Sequence, residues 1–433
     1  MRWKSLPICL LALLPTALQA ETRAAENPSF LAVLSDADMV PTVYETGDLG
    51  PVDAESRDTL SIIPLPWANE IEPRRIDVSN STNGPPAALA LSPDGRFAFV
   101  AETYGPRPEG ATRLDQLPQG RVIRSIGLGG DAEPVATVEI GTQPQAIALD
   151  PAGDLLAAIT VDEGRELAFV PVSEGRFGAV ARFGLQLPPS VGFIPLKSTW
   201  VEWHPSGRYI AVNLVDRAQV AFYEVVRNGE GAVTDILPWG NRVQTNKFPF
   251  VGRFSPDGRF YVTSDLQWGV DTKGFFGVEE GILTTVRLAE PGTTGDAARH
   301  TVPHVALGGW ASETILFSPD GRFLVTSNLR GTGKADGDPQ WTEEASLSLY
   351  EMDGATGKLR PRGEWRFPAV QPQGLAFSRD GSVLYVGVNR YRGEGEDHGA
   401  VEIWNLVTEG EVRLERTGTA IRLPPGVHTL TAR

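Results

Sequence analysis

The sequence predicts an all-β fold, a ring of seven four-stranded blades, from three observations: a hairpin motif present six times, steps of 51 to 63 residues between copies, and 47 Gly and 34 Pro against only 3 Met. A chain so rich in Gly and Pro is rich in turns. A four-stranded unit repeating at about 57 residues has the period of a propeller blade.

The first element is a leader. Arg2 and Lys4 precede an apolar stretch over 6–14 and a small-residue end, "TALQA". This is the three-part pattern of a secretory signal peptide, assigned to residues 1–20, and it leaves residues 21–433 as a single propeller domain in the periplasm or outside the cell. The one cysteine, Cys9, lies in the leader, so the exported chain is expected to hold together by packing without disulfides. No later stretch reaches the ~18–20 apolar residues needed to span a bilayer, so no membrane span is expected.

The hairpins follow in order: "LALSPDGRFAFVAE" (89–102), "IALDPAGDLLAAIT" (147–160), "VEWHPSGRYIAVNL" (201–214), "GRFSPDGRFYVTSD" (252–265), "ILFSPDGRFLVTSN" (315–328) and "LAFSRDGSVLYVGV" (375–388). In most copies Pro presets φ at the turn, while Asp or Ser tolerates the position after it. Gly takes the left-handed position that closes the hairpin. A third alternating run follows each variable loop, as in "QVAFYEV" (219–225) and "SLSLYEM" (346–352), and a fourth, less regular run precedes the next hairpin.

The predicted blades span about 86–142, 143–197, 198–247, 248–310, 311–370 and 371–425. The seventh is assembled from both ends: residues 426–433 supply its first strand and residues 29–80 the other three. Closure leaves only short, protected edges. A monomer is expected.

The formal charge is −15, or −17 without Arg2 and Lys4. Such a surface repels phosphate backbones, so nucleic acid is excluded as a partner. Other patterns fail on spacing. "HTVPH" (300–304) carries a helix-breaking Pro303 and no glutamate, no G-x-S-x-G elbow occurs, and "RGTGKADG" (330–337) lacks the spacing of a phosphate loop. No metal and no cofactor are expected.

The runs "SPDGRFAFVAE" and "SPDGRFLVTSN" resemble the YVTN-type propeller repeat. The ring as a whole is similar to the lactonase-like seven-bladed propellers related to 6-phosphogluconolactonase and carboxymuconate cyclase. That group carries His-Pro-His at the entry to a first strand. The corresponding positions here read Gln143-Pro144-Gln145 and Gln371-Pro372-Gln373. Glutamine can bond a ligand but cannot serve as a general base.

Aligned on the hairpins, one position near the entry of each first strand reads Ala87, Gln145, Thr199, Phe250, Glu313, Gln373 and His428. A polar cluster at the channel mouth is expected there, with His428 as acid or base and Glu313 orienting it. A second row, three residues further on, reads Ala90, Ala148, Glu202, Arg253, Leu316, Ala376 and Thr431. Glu202 and Arg253 are expected to grip a polar ligand or to form an ion pair between blades. The long second-to-third strand loops carry Trp268, Lys273, Arg330, Trp341 and Arg390, candidates for binding an anionic ligand or a protein.

Two functions stand open, with a propeller subunit of a periplasmic dehydrogenase as a third. One is an exported, non-catalytic propeller that binds a protein partner or a small polar or anionic ligand at the long-loop face, through Gln145, Glu313, Gln373 and the loop residues. The other is a lactonase-like hydrolase or isomerase with His428, Glu202 and Arg253 as its catalytic candidates.

Overall fold

A computed structural model describes residues 29–51, 57–68, 71–82, 86–130, 133–188, 198–266, 278–391 and 397–433. The expected leader, and with it Cys9, lies outside these residues. The described residues form seven antiparallel sheets. Each inner strand touches the inner strand of the next blade, and that of the closing blade touches both blade six and blade one, so the ring is complete.

The repeated motif is the turn between a blade's first and second strands, built by side chains of its own residues. In blade four Ser255 Oγ donates to Asp257 Oδ1 at 2.6 Å and accepts from Phe260 N at 3.0 Å. The pattern recurs at Ser92, Ser318 and Ser378. Blade two does the same work with a carboxylate: Asp150 Oδ1 accepts from the amides of Gly153, Asp154 and Leu155. Gly258 closes its turn at φ 72°, where a Cβ would be strained. The repeat therefore serves the fold.

The closing blade unites the chain's two ends in one sheet. Leu31 opposes Ala432, Val33 opposes Leu430 and Ser35 opposes Val427. Phe30 and Arg433 exchange backbone bonds at 3.0 and 2.8 Å.

Blades two and three depart from a plain four-stranded meander, because the outermost strand is broken in each. In blade two Arg176–Phe177 and Ala181–Phe183 pair successive parts of Leu167–Ser173. In blade three Val233–Pro238 and Val243–Gln244 share Gln219–Arg227. Local sequence explains the first break: Glu174 and Gly175, at φ 48° and 69°, form a tight turn, and Gly178 then carries the chain across Pro171.

The core lies between blades, where the faces of adjacent sheets meet. Between blades two and three Phe169 packs edge-on against Trp203 at 6.1 Å. Outward from the axis, Tyr209 stacks on Trp239 at 4.0 Å beside His204 and Phe254. Aromatic contacts of this kind rigidify the wall of the channel.

Candidate functional site

The seven inner strands, Leu89–Leu91, Ala146–Leu149, Ser198–Trp203, Phe248–Phe254, Ser312–Phe317, Val370–Phe377 and Val427–Ala432, all run from the long-loop face toward the hairpin turns. The first aligned row therefore lies near the long-loop end of the channel, the second nearer the turns.

Four members of the first row are polar and ionisable or amide-bearing, and each follows a left-handed residue by two positions. Gln143 (φ 46°), Ala311 (φ 52°), Gln371 (φ 46°) and Gly426 (φ 85°) precede Gln145, Glu313, Gln373 and His428. Three of these are not glycine, so the kink costs energy that surrounding bonds must offset. Those bonds come from neighbouring loops: Gln143 N donates to Gly120 O at 2.8 Å, Ala311 N to Glu279 O at 2.7 Å, and Gln371 N to Thr332 Oγ1 at 3.0 Å.

All four polar residues are buried. Gln373 Nε2 donates to both Glu313 oxygens at 3.1 Å, and burial pushes the Glu313 carboxyl up to about 8. His428 bonds Asn80 Oδ1 through Nε2 and Thr429 Oγ1 through Nδ1, both at 2.8 Å. Asn80 spends its amide N–H groups on Ser35 O and Val78 O, so its oxygen accepts and His428 Nε2 carries the proton. Burial pushes His428 down to about 3.

The expected His428–Glu313 pair is not formed. Each is satisfied by a different partner, and a neutral imidazole with both nitrogens bonded has no free site for proton transfer. Gln145 Nε2 turns back to Gln143 O at 3.0 Å.

The second row is where space opens. A cavity of about 540 Å³ is lined by Ala90, Ala148, Glu202, Arg253, Leu316, Ala376 and Thr431, and it extends to Pro151, Pro256 and Pro319 of the turns. A ligand site was expected at the long-loop face; this cavity faces the opposite end. Side-chain volume accounts for the reversal: buried Gln145, Phe250, Glu313, Gln373 and His428 crowd the upper row, whereas three alanines in the lower row leave room.

Inside the cavity Arg253 Nη1 lies 2.8 Å from Glu202 Oε2, with side-chain exposures of 26% and 21%. The guanidinium sits 4.6 Å over the Trp200 ring, a cation–π contact that fixes its plane. Arg253 Nε is buried with no hydrogen-bond partner among the described residues. Burial raises the Glu202 pKa, and the neighbouring Arg253 opposes that rise. The pair thus sets a carboxyl whose pKa burial raises beside a cation held over Trp200, in a cavity large enough to admit a small molecule.

The loop candidates do not converge on this cavity. Arg330 donates to Glu364 at 3.2 Å, Arg390 is bonded to Asp397, and Trp341 is 36% exposed. Trp268 and Lys273 lie outside the described residues. Among the described residues no group of three or more His, Cys, Asp or Glu is placed to hold a metal ion. No helix among them is long and apolar enough to cross a membrane.

Two residues escaped the sequence reading. Trp200 was signalled by "WVEWHP", the only first strand with two tryptophans, although its role under Arg253 was not. Asn80 gave no signal, because it lies 348 residues from His428.

Ring and channel together define the class as a seven-bladed β-propeller. Residues 200–392 match the family model described as "Lactonase, 7-bladed beta-propeller". No curated protein matches the sequence. Among solved structures, a periplasmic gluconolactonase of Pseudomonas aeruginosa aligns at TM-score 0.60 and 16% identity, over 93% of this chain and 98% of that one. A Bacteroides fragilis protein described as a candidate 6-phosphogluconolactonase aligns at TM-score 0.58 and 13% identity, over 95% and 99%. A Lactobacillus plantarum protein aligns at 0.61 and 14%, over 94% and 99%. At these identities the likeness is one of fold.

Proposed function

We propose that this propeller hydrolyses a lactone in the channel cavity, in the periplasm or outside the cell, with Glu202 as general base and Arg253 as the cation that meets the oxyanion. The observation that carries the proposal is the Glu202–Arg253 pair at 2.8 Å inside a cavity whose other lining side chains are uncharged. The description of the matched family supports the same class of chemistry.

In this reading the ionised Glu202 takes a proton from water, and the hydroxide adds to the lactone carbonyl carbon. Arg253 stabilises the tetrahedral oxyanion. The bond from the acyl carbon to the ring oxygen then breaks, the departing alkoxide takes the proton back from Glu202, and an open-chain hydroxy acid is released. A raised carboxyl pKa suits this role because the best general base titrates near the working pH.

Acid release from small lactones, followed at constant pH, tests the proposal. Glu202→Gln is expected to lower kcat by about 10²-fold or more while the fold persists. Acid release by the variant at the wild-type rate, or none by the wild type from any lactone, would remove the catalytic reading.

A further inference from the structure

We infer that the substrate of this cavity is an uncharged lactone and that a phosphorylated sugar lactone is rejected; the inference rests on the lactone reading of the site. It follows from the charges on the cavity wall. Among its lining residues only Glu202 and Arg253 are charged, and they are bonded to each other. The wall offers no lysine and no second arginine.

A phosphate monoester carries about −1.5 to −2 charge at neutral pH and is ordinarily met by an arginine fork or a cluster of donors. Here it would have to share one guanidinium with a carboxylate already in place. A dianion beside Glu202 would also disfavour its ionised form, the base of the proposed reaction. Three of the turn arginines are engaged, Arg96 with Asp94 and Glu174, Arg208 with Glu224, and Arg259 with Asp257, whereas Arg322 lies over the Phe323 ring and Arg379 is exposed at the turn of blade six, outside the cavity wall. With a formal charge of −15, the chain as a whole adds repulsion.

A neutral lactone meets none of these obstacles. Its carbonyl oxygen is an acceptor for the Arg253 guanidinium, which gives Glu202 a bond from Nη1 and carries further N–H groups. Its ring would rest against Ala90, Ala148, Leu316 and Ala376.

The test compares kcat/KM of the full chain on dihydrocoumarin and glucono-δ-lactone, both uncharged, with 6-phosphoglucono-δ-lactone. The better uncharged compound is expected to lead by about tenfold or more, since an unmatched like charge in the cavity disfavours binding. Thr431→Arg, which adds a cation to the same wall, is expected to narrow the gap. A phosphorylated lactone turned over as well as either neutral one overturns the inference and leaves the lactone reading standing. If no lactone is opened, the lactone reading fails, and calorimetry of the wild type with glucono-δ-lactone and 6-phosphogluconate still decides: no binding of the neutral compound, or tighter binding of the phosphorylated one, overturns the inference.

Discussion

Gln373 Nε2 stands 3.1 Å from each carboxyl oxygen of Glu313, joining blades five and six through one amide nitrogen. Glu313 has no exposed surface, and burial is the main reason its pKa rises from 4.5 to about 8. A carboxyl raised in the folded state favours folding fully below its unfolded pKa, and that contribution is lost as pH rises through the folded value. Between about pH 4.5 and 8 this one group should cost the wild type roughly 3–5 kcal/mol. Glu313→Gln should flatten that part of the stability curve, as measured by urea unfolding at several pH values. Parallel curves for variant and wild type would show that Glu313 is ionised in the fold.

His428 bends the curve the other way. Burial lowers it from 6.5 to about 3, so its contribution is complete above pH 6.5 and is lost as pH falls toward 3, where the unfolded chain takes up a proton that the folded chain refuses. His428→Gln keeps a donor toward Asn80 and removes the titration. The variant is expected to lose less stability than the wild type between pH 6 and 4. An NMR titration of the imidazole should find it still neutral at pH 5; a protonated ring there would contradict the burial argument.

Both groups were visible in the sequence as members of one aligned row, and the row itself was legible because a strand's inward positions are set by counting from a turn. The turns were legible for a local reason: Ser255, Asp257 and Gly258 build their hairpin within the six consecutive residues from Ser255 to Phe260. Ring closure followed from an unpaired strand at one end and three at the other. What the row's members do was not legible. The partner of His428 is Asn80, which no spacing rule links to it. The open end of the channel was hidden for a different reason, since it depends on the summed volumes of seven side chains drawn from the whole chain. The broken outer strands of blades two and three lie where a blade packs against solvent, and there the apolar alternation that marks a strand fades.

The Glu202–Arg253 pair lends itself to a double-mutant cycle. Both side chains are about a quarter exposed, so solvent screens the attraction and its coupling should be about 1–2 kcal/mol. Arg253→Lys is expected to restore little of it. Lysine keeps the charge but loses the planar group that stacks over Trp200 at 4.6 Å. Chemical denaturation of the four proteins of the cycle supplies the numbers, and additive effects would mean that the two charges do not sense each other.

The seam of the ring can be probed by adding a single methyl group. Gly426 precedes the last strand at φ 85°, and a Cβ there would lie 1.8 Å from the Asp36 carbonyl oxygen, a contact that backbone must move to relieve. Gly426→Ala should therefore cost about 3 kcal/mol or more, combining a left-handed alanine with a clash at the junction of Val427–Ala432 and Phe30–Ser35. Gly410→Ala is the control. Its φ is 74°, but nothing lies within 4 Å of the added carbon, so only the backbone term of about 1 kcal/mol applies. Hydrogen exchange locates the damage: faster exchange confined to the closing blade and its neighbours is expected for Gly426→Ala. Equal cost for the two alanines would mean that the chain's two ends are not held together where Gly426 meets Asp36.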